Sequence, residues 1–307
     1  MTQATTDAEG SPDGKHSAAE SPKRGPAAAI VVVLVVVLLY AASVFAYWFF
    51  SGSARELDSP DFGDGSETVV LVTVTGIKTL DNKVDAKVLV IPEDGLTDPR
   101  LDVLTEDLSV RLYPWNTLGD LNFPAGAAPA EVTTTIDVSG DPTTWPFDAY
   151  KTDAISADVL VGEGDAREFQ PARVEIEAAI QGWDISSEMV PPSPQSYSQA
   201  GDEAVQLTFK RALGPLAFDI GICLVLIMLP TLALYTSLKV FFRRKEFQMP
   251  FLTWYAAMLF AVVPLRNILP GAPPPGAWID ILLVMWVIIG LVASMLVYVV
   301  IWKKRID

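Results

Sequence analysis

Four long apolar runs constrain this chain more than any other feature of its sequence. They are residues 27–50, 213–235, 249–269 and 277–302. A helix needs about 20 mainly apolar residues to cross the hydrocarbon core of a bilayer. One soluble core would not require four such runs. The sequence therefore predicts a membrane protein with an α-helical bundle of four transmembrane helices.

The first run has a second interpretation as a cleaved signal peptide. Residues 27–50 carry no charge over 24 positions and follow the basic residues Lys15, Lys23 and Arg24. The apolar core of a signal peptide is shorter, about 7–15 residues. Trp48 also has the character of an aromatic residue at a membrane interface. We therefore expect a retained anchor, with cleavage as the alternative.

Basic clusters predict the orientation, because Lys and Arg are enriched on the cytoplasmic side of membrane proteins. Such clusters precede the first run and follow the second and fourth: Lys23 with Arg24, Lys239 with residues 243–245, and residues 303–305. Only Lys210 and Arg211 oppose this assignment. We expect a multi-pass plasma-membrane protein with both termini cytoplasmic, residues 1–26 as a disordered tail, and residues 303–307 as a short tail.

Residues 51–210 are long enough for one domain with its own core, and they are expected outside the membrane. Apolar and polar residues alternate there with a period of two, which is typical of half-buried strands. The strand-like blocks are residues 68–75, 84–90, 108–112, 132–138, 155–161, 174–180 and 205–209. We predict an extracytoplasmic antiparallel β-sandwich. Residues 186–200, rich in Pro, Ser and Gln, are predicted to form a long exposed loop.

Charge and residue usage exclude several classes of function. The net charge of −15 argues against nucleic acid, which requires a basic surface. A single Cys (Cys223) and a single His (His16) leave no intrachain disulfide, no Cys/His zinc site and no Ser–His–Asp triad. We therefore expect no cofactor, no metal and no catalytic residue.

The acidity is concentrated in the outer domain. Residues 51–210 hold 29 Asp and Glu against 10 Lys and Arg. This balance either keeps the domain away from anionic lipid headgroups or captures cations or a basic partner. Four acids in one loop, Asp58, Asp61, Asp64 and Glu67, are oxygen ligands of the kind that calcium prefers. Their spacing is not that of an EF-hand, so a solvated loop is the favoured interpretation.

Trp145-Pro146-Phe147-Asp148 is the most distinctive short stretch in the outer domain. Two aromatic residues flank a proline, and the aspartate could accept hydrogen bonds from nearby backbone N–H groups. We interpret these residues, hereafter the 145–148 corner, as a structural corner that pins two strands. An aromatic ligand-binding groove is the alternative.

Three ionisable residues fall within the apolar runs: Asp219, Arg266 and Asp280. A charge at the centre of a membrane helix costs about 2.5–3.5 kcal/mol on insertion scales, so each requires a partner or water. We expect Arg266 to contact Asp280, Asp219 or both, and the stiff proline-rich loop at residues 269–276 favours Asp280. These charges form either a structural ion pair or an ion or proton relay.

The combination of these features resembles a known family. The chain is similar to the domain-of-unknown-function 4436 family. The resemblance rests on one anchor, a β-rich outer domain with the 145–148 corner, and three C-terminal helices. These helices include an R-N-x-x-P-G-x-P-P-x-G-x-x-x-D stretch from Arg266 to Asp280. Members occur in actinobacteria and fungi, and the resemblance implies no known activity. The chain also resembles, more weakly, the outer domain of pentameric ligand-gated channels. It departs from them by an extra N-terminal anchor and by having three helices after the sandwich.

Two classes of function follow from these patterns. The first is a non-enzymatic binding or scaffolding component of the cell envelope, in contact with the lipid bilayer and with an envelope protein. The second is a transport or channel component in which Asp219, Arg266 and Asp280 line a path. A symmetric homo-oligomer of the chain alone would favour this second class. An enzyme with two carboxylates as acid and base ranks third, because no pair stands out among so many.

Overall fold

The computed structural model describes residues 57, 59–170, 172–192, 204–242, 250–271 and 273–306, with scattered positions between Ile30 and Phe49. Residues 1–46 form one compact unit and residues 47–307 another. The described positions between Ile30 and Phe49 are helical. Most of the predicted first transmembrane helix and the predicted tail at residues 1–26 lie outside the described residues.

The outer part of the larger unit is built from short strands. In chain order they are β1 (Thr68–Lys78), β2 (Lys83–Ile91), β3 (Thr97–Asp98), β4 (Val103–Leu104), β5 (Leu108–Tyr113), β6 (Leu121–Phe123), β7 (Val132–Gly140), β8 (Ala149–Thr152), β9 (Ser156–Val161), β10 (Glu168–Gln170), β11 (Ala172–Ala178), β12 (Trp183–Val190) and β13 (Ala204–Arg211).

Two main sheets contain most of these strands. The larger has seven strands among the described residues, in the order β11-β1-β2-β7-β8-β13-β12, and the smaller has four, in the order β10-β9-β5-β6. The prediction of purely antiparallel pairing is wrong at one position, because β1 and β11 are parallel from Thr68 opposite Ala172 to Val74 opposite Ala178. The intervening chain passes through the smaller sheet, so β11 returns to β1 in the same direction.

Both sheets contribute side chains to one hydrophobic core. In β2, Val84, Ala86, Val88 and Val90 are buried, whereas the residues between them are partly exposed. Buried leucines and valines of β5 and β9 belong to the same core cluster. The period-two pattern in the sequence therefore marks the residues that face this core.

All seven strand-like blocks in the sequence coincide with strands, but six further strands among the described residues have no such pattern: β3, β4, β6, β8, β10 and β12. The prediction of a loop over residues 186–200 is wrong for residues 186–190, which belong to β12. This strand is an edge of the larger sheet and pairs with β13 from Trp183 opposite Arg211 to Val190 opposite Ala204. Its second half is exposed, so it needs no alternating apolar residues. Residues 193–200 of the predicted loop lie outside the described residues.

Three helices follow the β domain: α1 (Leu213–Phe241), α2 (Pro250–Asn267) and α3 (Met285–Ile306), the last preceded by a π-helical turn at Asp280–Val284. Among the described residues, two helical stretches are long and apolar enough to cross a membrane, Leu213–Phe241 and Asp280–Lys304. A bundle of four transmembrane helices is therefore not supported by length and hydropathy. The 18-residue α2 lies at the predicted place but is not one of the two.

Close backbone approach and buried hydroxyl groups join the three helices. A Cβ atom at Gly290 of α3 would lie 2.9 Å from Cβ of Pro230 in α1, so only glycine permits this contact. The Tyr255 hydroxyl of α2 lies 2.9 Å from Ser237 Oγ of α1, which donates to the Ser294 carbonyl of α3 at 2.8 Å. Small residues and hydroxyl groups between helices are typical of packing in membranes.

Candidate functional site

The β domain and the first helix are joined almost without a linker. Arg211 ends β13, Leu213 begins α1, and Ala212 between them donates its N–H to the Gly182 carbonyl at 3.0 Å. Ala212 is 3 % exposed, so this short connection is itself packed. The side chains around it form what we call the junction: Trp145, Asp148, Tyr150, Trp183, Arg211, Pro270 and Gly271.

A buried ion pair lies at the centre of the junction. Arg211 donates through Nε and Nη2 to the two carboxylate oxygens of Asp148, the second hydrogen bond being 2.9 Å long. The Arg211 side chain is 8 % exposed and that of Asp148 is 1 % exposed. The Tyr150 hydroxyl donates to Asp148 Oδ2 at 3.1 Å, and burial together with the Asp148 charge raises the pKa of Tyr150.

An aromatic ring completes the surroundings of the guanidinium group. The Arg211 guanidinium carbon lies 4.9 Å from the centre of the Trp183 ring, within cation–π range. Removing one member of a buried, hydrogen-bonded ion pair leaves an uncompensated charge and destabilises a protein by about 3–5 kcal/mol. Loss of either Asp148 or Arg211 alone should therefore destabilise the protein, because the remaining charge would be buried without a partner.

The same cluster contacts the loop between α2 and α3. Trp145, 2 % exposed, donates its indole N–H to the Pro270 carbonyl at 3.0 Å. Gly271 has a φ of +76°, and a Cβ atom there would collide with the Arg211 guanidinium group. The β domain therefore holds this loop at two adjacent residues, one through a hydrogen bond and one through close contact.

The 145–148 corner makes contacts beyond the two strands that it was predicted to pin. Trp145 and Asp148 are both buried, but their side chains contact the helix loop and the end of β13 instead of only pinning two strands. Asp148 accepts hydrogen bonds from Arg211 and Tyr150 side chains, where the sequence suggested backbone N–H donors. Phe147 is 77 % exposed and cannot be a core residue.

The structure brings Arg266 and Asp280 together. Arg266 donates through Nε and Nη2 to Asp280 Oδ1 at 2.9 Å and Oδ2 at 2.8 Å. The same Nη2 donates to the carbonyl oxygens of Pro273 and Pro274 at 2.9 and 3.2 Å. Gly276 N–H donates to Asp280 Oδ2 at 2.9 Å. This ion pair therefore closes the proline-rich loop onto the end of α2 and the start of the π-helical turn.

Asp219 lies apart from that pair. It is 1 % exposed in α1, and its two carboxylate oxygens accept no hydrogen bond from any residue that the structure describes. The charges that act on it are those of Arg211 and Asp148 in the junction. Of the two partners predicted for Arg266, the structure therefore shows Asp280. Asp219 lies instead near the charged groups of the junction.

The acidic loop before β1 is organised by an arginine. Arg173 forms ion pairs with Glu67 at 2.9 Å, Glu175 at 2.7 Å and Asp61 at 3.7 Å. Asp64 accepts hydrogen bonds from the backbone and hydroxyl of Ser66. Asp58 lies outside the described residues, and within the described part of the chain no group of three His, Cys, Asp or Glu could hold a metal ion. These contacts favour ion pairing of the loop over calcium binding.

A groove lies beside the two edge strands of the larger sheet. It has a volume of about 650 Å³ and is lined by residues of β11 and β12, including Ile176, Glu175, Ile185 and Met189. Met189 is 68 % exposed at its rim. Its lining combines the apolar side chains of Ile176, Ile185 and Met189 with polar ones such as Ser186 and Ser187, which suits a partner with mixed apolar and polar character.

Sequence reasoning missed Arg211, Tyr150, Trp183 and Gly271 as site residues. One signal pointed to Arg211, which opposed the positive-inside assignment immediately before an apolar helix. A basic residue in that position is tolerated when its charge is neutralised, and here Asp148 neutralises it. The other three carry no local pattern, because they meet only in the folded chain.

The comparisons with known families divide the chain at the junction. Residues 58–209 match the family described as Domain of unknown function (DUF4436). The β domain belongs to the DUF4436 family. Residues 211–305 match a second family, Domain of unknown function (DUF8686), and this part contains the stretch from Arg266 to Asp280. No curated protein matches the chain.

Proposed function

We propose that this chain, with its DUF4436-family β domain, is a multi-pass plasma-membrane protein that serves as a non-enzymatic binding or scaffolding component of the cell envelope. The proposal includes four transmembrane helices at residues 27–50, 213–235, 249–269 and 277–302, with both termini cytoplasmic. The β domain then lies outside. The observation that carries the proposal is the junction, because it holds a β domain firmly against apolar helices.

The ion pair at the junction supports this orientation. Arg211 is one of the two basic residues that oppose the positive-inside rule, and its charge is compensated by Asp148. An ion pair with no net charge at the end of a helix adds no positive charge to that side, so it does not oppose the orientation that the basic clusters predict. The two apolar helices α1 and Asp280–Lys304 supply surface suited to lipid contact.

The β domain supports a binding role through its charge and its groove. Residues 51–210 hold 29 acidic against 10 basic residues, which favours a partner with basic character. The groove along β11 and β12 adds a contact surface of mixed apolar and polar side chains, among them Ile185, Ser187 and Met189. A rigidly mounted, acidic domain with such a groove suits recognition more than chemistry.

The test is mild crosslinking of the tagged full-length chain in native membranes, followed by isolation of the crosslinked species. We expect one envelope protein in stoichiometric amount, and Met189→Arg in the groove should reduce its recovery at least several-fold. Leu101→Arg, at an equally exposed position outside the groove, is the matched control and should leave recovery unchanged. A symmetric oligomer of this chain alone would contradict the scaffold proposal.

Transport is the second candidate, and Asp219 is the observation that favours it. A carboxylate that is 1 % exposed and receives no hydrogen bond from the described residues requires water, a proton or a cation to be tolerated in a helix of this kind. Ion flux into vesicles containing the purified chain would test it. A flux that Asp219→Asn abolishes would favour a transport component over a scaffold.

A further inference from the structure

The end of the β domain that bears the junction exposes two large apolar side chains. Leu80 is 59 % exposed in the turn between β1 and β2, and Phe147 is 77 % exposed in the 145–148 corner. Exposed apolar side chains occur elsewhere on the domain too, so exposure alone assigns no role to these two. Their position decides the argument.

Strand pairing places the β1–β2 turn at the junction end. The Val138 N–H donates to the Asn82 carbonyl at 2.9 Å, so the turn lies beside the end of β7. Tyr150 pairs with Gly140 at that end and with Phe209 of β13, near the start of α1. The Tyr150 hydroxyl donates to Asp148, a member of the junction. Leu80, two residues before Asn82, therefore lies at the junction end of the β domain.

Phe147 is fixed in its exposed position by its neighbours. Trp145, two residues earlier, is bonded to Pro270, and Asp148, one residue later, is paired with Arg211. The Phe147 N–H donates to the Thr144 carbonyl at 3.0 Å. The ring cannot enter the core without breaking these contacts, so its exposure belongs to the folded state.

The helix ends that adjoin the junction also expose apolar side chains. Leu213 begins α1, Ile268 follows α2 immediately before the loop that Trp145 contacts, and Trp278 precedes the π-helical turn; they are 48, 58 and 59 % exposed. A tryptophan in this place is typical of the interface between lipid and water. Leu80 and Phe147 are thus exposed apolar residues at the same end of the β domain that contacts these helix ends.

We propose that Leu80 and Phe147 enter the lipid headgroup region, so that the β domain rests on the bilayer surface as well as on the helix loop. Asp81 and Asn82 beside Leu80 limit the depth, because a carboxylate and an amide remain hydrated at headgroup level. The occupant of this apolar surface is lipid. The inference rests on the proposed membrane location and deepens it by assigning a second contact with the bilayer.

Matched positions exist at the opposite end of the domain. Thr68 and Lys78, the two ends of β1, are separated by roughly 30 Å of extended strand. Leu101 in the β3–β4 turn and Phe62 before β1 lie towards the Thr68 end and are 71 and 49 % exposed. Each matches Leu80 or Phe147 in residue type and differs from it in location, so the two serve as controls.

Spin labels test the inference on the full-length chain in phosphatidylcholine vesicles. In a Cys223→Ser background, the variants Leu80→Cys, Phe147→Cys, Leu101→Cys and Phe62→Cys are labelled one at a time. Collision rates with oxygen, which partitions into lipid, and with a water-soluble nickel chelate are then measured. We expect the ratio of oxygen to nickel collisions to be several-fold higher at positions 80 and 147 than at 101 and 62.

A label on α3 separates the failure of this inference from failure of the proposed function. Leu296 is 60 % exposed in the apolar stretch Asp280–Lys304, so Leu296→Cys should report lipid if that stretch spans a membrane. A lipid signal at 296 with water signals at 80 and 147 would overturn the inference alone. A water signal at 296 would overturn the membrane location and the inference together. Because all five side chains are exposed, their replacement removes no core contact.

Discussion

Within the 145–148 corner, neighbouring residues have opposite environments. Trp145 and Asp148 are each 2 % exposed, whereas Phe147 is 77 % exposed. Because both rings are aromatic, the sequence did not indicate which of the two is buried. The burial of Trp145 and Asp148 depends on their partners Pro270 and Arg211, which lie 125 and 63 residues further along the chain. Partners at such separations leave no periodic pattern, so the stretch could be found but its buried members could not be identified.

This difference predicts opposite responses to the same substitution. Trp145→Ala should lower the free energy of unfolding by about 3–5 kcal/mol, because a buried ring is lost. Phe147→Ala should change it by less than about 0.5 kcal/mol, as is usual for exposed positions. Trp145→Phe, which keeps a ring but removes the N–H donor to Pro270, should fall between them. Chemical unfolding in detergent, followed by the β-sheet circular dichroism signal, measures all three, and equal losses for Trp145→Ala and Phe147→Ala would refute the assignment.

At the scale of elements, the sequence predicted strands where burial alternates and failed where it does not. β2 and β7 have one face in the core, so their apolar residues recur every second position. β12 is half exposed at the edge of the sheet, and its sequence is accordingly polar. The parallel pairing of β1 and β11 was not predictable, since the same alternation serves either direction of the neighbouring strand. The contact between Arg266 and Asp280 across the α2–α3 loop was easier to predict, because a short stiff connection brings both its ends together.

The ion pair across that loop gives a prediction for α2 and α3. Arg266 and Asp280 are 16 and 22 % exposed, and removing Arg266 leaves a poorly solvated carboxylate. Arg266→Leu should therefore reduce the folded, membrane-inserted yield several-fold. Arg266→Leu with Asp280→Leu should restore much of it, because neither charge then has to be desolvated. The yield is measured by size-exclusion chromatography of detergent extracts.

A more exposed pair provides the control for this double substitution. Lys87 and Glu131 form an ion pair in the β domain at 2.8 Å, with side chains 43 and 54 % exposed. Exposed pairs contribute about 0–1 kcal/mol, so Lys87→Leu should have little effect on yield. If the Arg266/Asp280 double variant is as poor as the sum of its single variants, the pair does not act as a structural staple.

At the scale of the whole molecule, the junction unites what the family comparison divides. The two matching families meet between residues 209 and 211, yet residues 47–307 form one compact unit. The physical reason is that Arg211 belongs to the last strand while its surroundings include both the β domain and the loop after α2. Displacement of the β domain would therefore move the start of α1 and the α2–α3 loop together. This linkage is a property of side chains that no single segment of the sequence contains.

The last prediction concerns the orientation of the molecule in the membrane. The basic clusters favour cytoplasmic termini, and compensation of Arg211 by Asp148 removes one of the two residues that oppose the proposed arrangement. Single cysteines at Thr97, in the β domain, and at Ile306, at the end of α3, are introduced in a Cys223→Ser background. In intact cells, a membrane-impermeant maleimide should label Thr97→Cys fully and Ile306→Cys only after the membrane is permeabilised. The reverse pattern would show that the orientation is inverted. Labelling of both positions in intact cells would show that α1 to α3 cross the membrane an even number of times. In that case one of the three helices, or all three, would not span the bilayer as proposed.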